Sequence, residues 1–177
     1  MESIRLSLVT LGFIVILLAP VESWALPQDD CTSDAVPRTT PSNHFTVIGD
    51  GSIVRHETTR LEWQRCALGQ SWDGSTCIVV TPGRRRWENT LMFVAGVDDG
   101  WRLPNLKELL SIVEGCRTSP SINQVVFPNA PSSYFWSASP NSGGSGLYAW
   151  AVDFALGGDF LASKSSTYRA RLVRDGQ

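Results

Sequence analysis

The spacing of apolar positions changes along this chain, and each spacing predicts a different element. Phe45-Thr-Val-Ile and Ser52-Ile-Val-Arg are short extended runs broken by Gly49-Asp50-Gly51, a β-hairpin on a glycine-rich turn. A second turn around Glu57 to Arg60 leads into Leu61-Glu-Trp-Gln-Arg. There Leu61 and Trp63 point one way and Glu62 and Gln64 the other, as in a half-buried strand. From Trp87 the period lengthens. Trp87, Leu91 and Val94 or Ala95 share a helical face, so a helix is expected from Trp87 to about Ala95. The second helical stretch lies in Gly100 to Cys116, GWRLPNLKELLSIVEGC. Pro104 disfavours helix at Leu103, and Asn105 is a good N-cap with Glu108 three residues on, as in a capping box. Leu106, Leu109, Leu110 and Val113 form one apolar stripe, with Gly115 expected to end the helix and Cys116 to anchor it.

Beyond Cys116 the pattern turns extended again. Ile122 to Phe127 is a short apolar segment stopped by Pro128, and Tyr134-Phe-Trp-Ser-Ala-Ser alternates with Tyr134, Trp136 and Ala138 on one side. Pro140 to Gly146, PNSGGSG, reads as a flexible loop. In the next strand Tyr148, Trp150, Val152 and Phe154 face one way and Ala149, Ala151 and Asp153 the other. Gly157-Gly158 turns the chain, Phe160 to Ala162 is a short strand, and Tyr168 to Arg174 closes the domain. Hairpins first, two helices in the middle and a small antiparallel sheet last make an α+β domain.

The N-terminus follows another rule. Arg5 precedes an apolar run from Leu6 to Pro20, too short and too soon polar to be a spanning helix. Ser23 and Ala25 occupy the small-residue positions of a signal-peptidase site. A signal peptide is therefore expected over residues 1–25, with an uncleaved membrane anchor as the alternative. Cys31 follows Gln28-Asp29-Asp30 rather than the small residues that lipid modification needs. Residues 26–43, rich in Pro, Ser, Thr and Asp, predict an extended arm, and 44–177 the domain. The expected address is the periplasm, the outer surface or the extracellular space, with no membrane span once the signal is removed.

Charge adds little. The 177 residues carry 15 Lys and Arg against 17 Asp and Glu, a net charge of −2. Losing Arg5, Glu2 and Glu22 moves the balance one unit closer to zero, which gives no global argument for nucleic acid or an anionic membrane. The four cysteines, Cys31, Cys66, Cys77 and Cys116, suit two disulfides in an exported chain. Of three connectivities, Cys66–Cys77 with Cys31–Cys116 is expected: the first closes a small loop, the second pins the arm to the end of the central helix. Zinc competes poorly. There is no CxxC pair, and neither His44 nor His56 stands at ligand spacing from a cysteine.

Several segments resemble, in the same order, one bacterial exported family. They are Cys66-Ala-Leu-Gly-Gln-Ser-Trp-Asp-Gly-Ser-Thr-Cys77, Trp101-Arg-Leu-Pro-Asn-Leu-Lys-Glu108, Phe127-Pro-Asn129, Phe135-Trp-Ser137, Tyr148-Ala-Trp150 and Arg171-Leu-Val-Arg174. The family is named for the C-terminal domain of the Legionella collagen-like adhesin, Lcl, and the similarity covers roughly Thr39 to Gly176. It is similar in turn to the C-type-lectin-like fold of formylglycine-generating enzymes, where a Trp/Arg-Leu-Pro segment opens a helix as Trp101 to Pro104 does here. The resemblance implies two helices packed on small antiparallel sheets, long irregular loops and neighbouring N- and C-terminal strands. For the adhesin domain it also implies binding of sulfated polysaccharides and trimer formation beside a collagen-like stalk. This sequence has no Gly-X-Y repeat and no Glu-Pro-Asn or Trp-Asn-Asp calcium–sugar motif.

Three functions are weighed on these residues. A binding module would use the loops from Pro140 to Leu147 and from Ala155 to Thr167, with the faces of Trp136, Tyr148 and Trp150 stacking on sugar rings. Asn141, Asp153 and Asp159 could accept hydroxyl protons there. Against this, an alternating aromatic stripe is more often core than platform. The run Arg84-Arg85-Arg86 suits sulfate or phosphate, although a solvated loop ahead of a helix is the blander reading. An enzyme would have to be built from His44 and His56, from the adjacent Asp98 and Asp99, or from reactive cysteines as in the formylglycine-generating relatives. None of these spacings makes a catalytic set. Asp50 alone in its turn falls short of a calcium loop. The third reading is a structural cell-envelope subunit without a small ligand. The sequence favours adhesion or recognition of a surface glycan or protein, with no cofactor, metal or catalytic residue.

Overall fold

The first sheet forms where the extended pattern places it. The computed structural model describes Cys31 and residues 36–176, so the expected signal peptide and half of the expected arm lie outside the described residues. Strands β1 (Phe45–Ile48) and β2 (Ile53–His56) pair antiparallel, with Val47 opposite Val54. Gly49 and Gly51 take φ of 62° and 89° in the turn, a region that costs glycine little. Asp50 Oδ1 accepts the N–H and hydroxyl of Ser52 at 3.0 and 2.6 Å, so this carboxylate serves its own turn. Strand β3 (Leu61–Gln64) joins β2, and β9 (Val173–Asp175) completes the order β1-β2-β3-β9. Trp63 is buried, as the alternation predicts. Glu62 is buried too, where the alternation points it outward, because Arg174 stands opposite it and donates from Nε at 2.8 Å.

The Cys66 to Cys77 loop carries a hairpin that the sequence pattern does not announce, β4 (Gln70–Trp72) against β5 (Cys77–Val79). The Cys66–Cys77 disulfide closes it, with Cα atoms 5.4 Å apart, and Cys31–Cys116 forms at 5.8 Å. Both pairs are the expected ones. Every cysteine is oxidised, which leaves no thiolate for zinc.

Helix α1 spans Trp87–Ala95, as its apolar period predicts, and buries Trp87, Thr90 and Val94. Helix α2 has the anticipated capping box: Asn105 Oδ1 accepts the Glu108 N–H at 2.9 Å, and Glu108 Oε2 accepts the Asn105 N–H at 2.8 Å. It spans only Leu106–Leu110, shorter than the stripe to Val113 suggests. The Ser111 N–H is shared between the Lys107 and Glu108 carbonyls, and its hydroxyl donates to Glu108 O at 2.7 Å, which tightens the last turn. Beyond it, Glu114 is drawn to the arm. Its Oε1 accepts the Thr39 N–H at 2.9 Å, and its Oε2 accepts both the N–H and the hydroxyl of Thr40 at 2.9 Å. The Glu114 N–H goes to Ser121 O, so the backbone leaves the helical path to serve these partners.

The third sheet runs β6 (Tyr134–Pro140), β7 (Tyr148–Asp153), β8 (Gly158–Ser163), and its β6 and β7 receive α2. The main core joins Phe45, Val54, Trp63 and Val173 of the first sheet to Phe135 and Val152 of the third, with Leu109, Ile112 and Phe127 between them. On the opposite face of β6–β8, Trp136, Ala149, Ala151 and Ala162 pack with Trp87 of α1.

Two arginines lie inside. Arg171, 1% exposed, rests over Phe127 at 4.5 Å and donates from Nη1 to the Gln64 and Arg65 carbonyls. Arg65 donates to Val126 O, Gly51 O and Val125 O at 2.7, 2.9 and 2.9 Å, and lies over Trp72 at 4.5 Å. Burial and then the Arg65 charge pull Arg171 down to about 9.

Burial alone would raise the Glu114 pKa, but the N–H groups of Thr39, Thr40 and Cys116 and the Thr40 hydroxyl outweigh it, and the net direction is down. Glu108 is lowered likewise, with burial opposed by the bidentate Arg102 at 2.7 and 2.8 Å. A carboxylate depressed by folding stabilises fully above its ordinary value of 4.5, and loses that contribution as pH falls through the folded value. Glu114→Gln is expected to cost roughly 2 kcal/mol at neutral pH and to flatten the acid limb of the stability curve. Urea unfolding of both proteins between neutral pH and pH 3 measures this.

Candidate functional site

Residues paired across an antiparallel ladder share a face, and alternate residues along a strand do too. Trp150 is opposite Leu161 and Tyr148 opposite Ser163, so Tyr148, Trp150 and Leu161 form one row on the β7–β8 surface. The row grades from core to solvent. Val152 at its inner end is fully buried, Trp150 is half-buried, and Tyr148 and Leu161 are 45% and 43% exposed. Beside it the loop from Asn141 to Leu147 is held at its base by the Asn141 N–H on Tyr148 O at 3.0 Å. Asn141 Oδ1 accepts the Gly143 N–H at 3.1 Å, so this side chain shapes the loop.

The structure divides the candidates that sequence groups together. Trp136 is fully buried, and this corrects its reading as a stacking platform. Its ring leans on Tyr168 at 4.6 Å and its Nε1 donates to Arg85 O at 2.9 Å, which leaves no free face. Asp153 lies on the other face of β7, and its Oδ1 accepts the Ala155 N–H at 2.8 Å to form the turn into β8. Asp159 is exposed and shares the face of Leu161. Tyr148, Trp150 and Asp159 thus share one face, with Asp159 opposite the inner Val152, Tyr148 at the outer end and Asn141 at the base of the loop beside it. Leu161 was missed, because an outward leucine in Phe160-Leu-Ala162 signals nothing until the register puts it opposite Trp150.

The three adjacent arginines go three ways. Arg86 is exposed at the N-cap of α1. The Arg85 guanidinium lies over the Phe93 ring at 4.3 Å, and its backbone bridges to Tyr168. Arg84 lines a cleft of about 500 Å³ together with residues 79–83 and Arg169. A second cleft of about 520 Å³ holds His44, His56 and several threonines. His56 is buried there, stacked on Phe45 at 4.7 Å with Nδ1 3.0 Å from Thr59 Oγ1. Burial first, then the His44 charge, keeps its pKa below the ordinary imidazole value.

Residues 52–174 match the family model described as the Lcl C-terminal domain. The chain belongs to the Lcl C-terminal domain family. No curated protein matches it. The match runs from the turn before β2 into β9, and so takes in both helices, the second and third sheets, the first sheet apart from β1, and the Cys66–Cys77 disulfide. Within this Lcl C-terminal domain, two of the quoted segments have structural roles. Arg171-Leu-Val-Arg174 supplies the carbonyl clamp at Arg171, and its Arg174 pairs with Glu62 and lies over Trp101 at 4.6 Å. Trp101-Arg-Leu-Pro supplies Arg102, held by Glu108 and Asp175.

Core and surface aromatics are expected to separate in stability measurements. Trp136→Ala should lose about 3–5 kcal/mol, and Tyr148→Ala should stay within about 0.5 kcal/mol of the wild type in urea unfolding.

Proposed function

We propose that this protein is an exported, non-catalytic binding module that recognises a surface glycan or protein through its C-terminal loops. The observation that carries the reading is the row Tyr148–Trp150–Leu161, apolar and partly uncovered, running into the loop from Asn141 to Leu147. Aromatic and aliphatic faces of this kind offer stacking area at low entropic cost, and Asp159 on the same face can accept hydroxyl protons. On this reading the overall architecture is C-type-lectin-like. Supporting it are the first and last strands lying in one sheet, as the two edges of β1-β2-β3-β9, and the long segment without strands between α2 and β6. Two disulfides fit an oxidising compartment, which supports export through the expected signal peptide. The non-catalytic reading is supported by the oxidised state of every cysteine, which removes the reactive thiols of formylglycine-generating chemistry.

Binding to a glycan array and to immobilised sulfated polysaccharides tests the carbohydrate form of this proposal. Tyr148→Ala and Trp150→Ala are each expected to weaken retention roughly 10-fold without altering the fold. Retention that survives both substitutions would move recognition away from the β7–β8 surface.

A further inference from the structure

The cleft beside β5 stands apart from the aromatic row and has a different chemistry. One wall is aliphatic, made by Val79, Val80 and Pro82, with Val79 72% and Val80 55% exposed. The other is cationic, made by Arg84 and Arg169, residues far apart in sequence. Arg84 has one hydrogen bond, from Nη2 to Ser133 Oγ at 3.2 Å, and Arg169 Nε is buried without a partner. Among the described residues no carboxylate pairs with either guanidinium. Burial and then the Arg84 charge hold the Arg169 pKa below its ordinary value, the signature of two like charges sharing a partly dry space.

The frame around these groups is rigid. The Val80 and Thr81 N–H groups both donate to Gly69 O, at 2.9 and 3.0 Å. Gly69, at φ 92°, approaches so closely that a Cβ there would stand 2.6 Å from Gly83 Cα. Arg169 is fixed through its backbone to Tyr134 and Trp136 at 3.0 and 2.9 Å, and the Cys66–Cys77 disulfide ties the turn end of the hairpin to the chain ahead of β4. A preformed site avoids ordering its walls on binding.

We propose that this cleft binds a carboxylate carried on an aliphatic group. Two guanidiniums match the two oxygens of a carboxylate, whereas a tetrahedral sulfate or phosphate brings more oxygens than this mostly aliphatic lining can satisfy. The valine wall covers an apolar substituent and disfavours a sugar ring, whose hydroxyls would lose water without gaining donors. A free branched carboxylic acid and the terminal carboxylate of a peptide ending in an aliphatic residue present the same chemistry.

Titration of the purified, disulfide-intact protein with isovalerate and with Ala-Ala-Val, followed by amide chemical shifts, tests this. Saturable shifts are expected at residues 79–84 and at Arg169. Arg84→Gln should weaken binding roughly 10-fold or more, as loss of a charge-assisted pair does. Val79→Glu, which places a competing carboxylate on an exposed position, should abolish it. Stronger binding of the tripeptide than of isovalerate identifies a chain terminus as the source, and equal binding identifies a small acid. Amidated Ala-Ala-Val binding as well as the free acid, sulfate or phosphate binding more tightly than isovalerate, or no shift at these residues in millimolar isovalerate would each overturn the proposal.

Discussion

The fold hangs on two guanidiniums that do the work normally given to strands. Arg65 and Arg171 together bind the carbonyls of Gly51, Gln64, Arg65, Val125 and Val126, which belong to the first hairpin, the end of β3 and the loop ahead of β6. The bonds to Val126 O and Arg65 O are buried, and an unpaired buried carbonyl is costly. Neither arginine has a carboxylate partner among the described residues; the charges are offset by carbonyl dipoles and by the faces of Phe127 and Trp72. The arrangement carries strong desolvation, and Arg171 shows it most, with Nε and Nη2 both lacking partners.

Given that clamp, the irregular segment between α2 and β6 can be dense without regular structure. Ile122, Val126 and Phe127 are buried, and Asn123 supplies the turn that lets them be. Its Oδ1 accepts the N–H groups of Val125 and Val126, and its Nδ2 donates to Thr40 O and Ser42 Oγ. Polar side chains at fixed points thus replace a ladder. The third sheet is free to pack on both faces, with Phe135 and Val152 toward one cluster and Trp136 and Ala151 toward the other. Apolar surface stays in water at the outer end of β7–β8, at the valine wall beside β5, at Met92 and Phe93 of α1 and at Leu156.

What the sequence made legible was local. The hairpin turn, the limits of α1, the capping box on Asn105 and Glu108, and the small loop closed by Cys66–Cys77 follow from short-range rules, and that closure leaves Cys31 for Cys116. What stayed hidden was tertiary. Arginines and glutamates read as surface, so nothing in the alternation marked Glu62, Arg65, Glu114 or Arg171 as interior; each is buried because a partner distant in sequence meets it. The same rule blurred the aromatics. Trp136 and Trp150 look alike in their strands, and only the arrival of α1 and Tyr168 over one face separates them. Arg84 drew notice for its neighbours in sequence, yet its companion in space is Arg169.

Thr39, Thr40 and Cys31 all meet the chain at Glu114 to Cys116, through a carboxylate and a sulfur bridge side by side. Tension applied through the N-terminal segment therefore enters at that corner, behind Ile112 and Leu109 of the main core, and bypasses β1. A pull from this side meets the two fastenings before it reaches the β1–β2 ladder, so the hairpin is not the first element to bear the load.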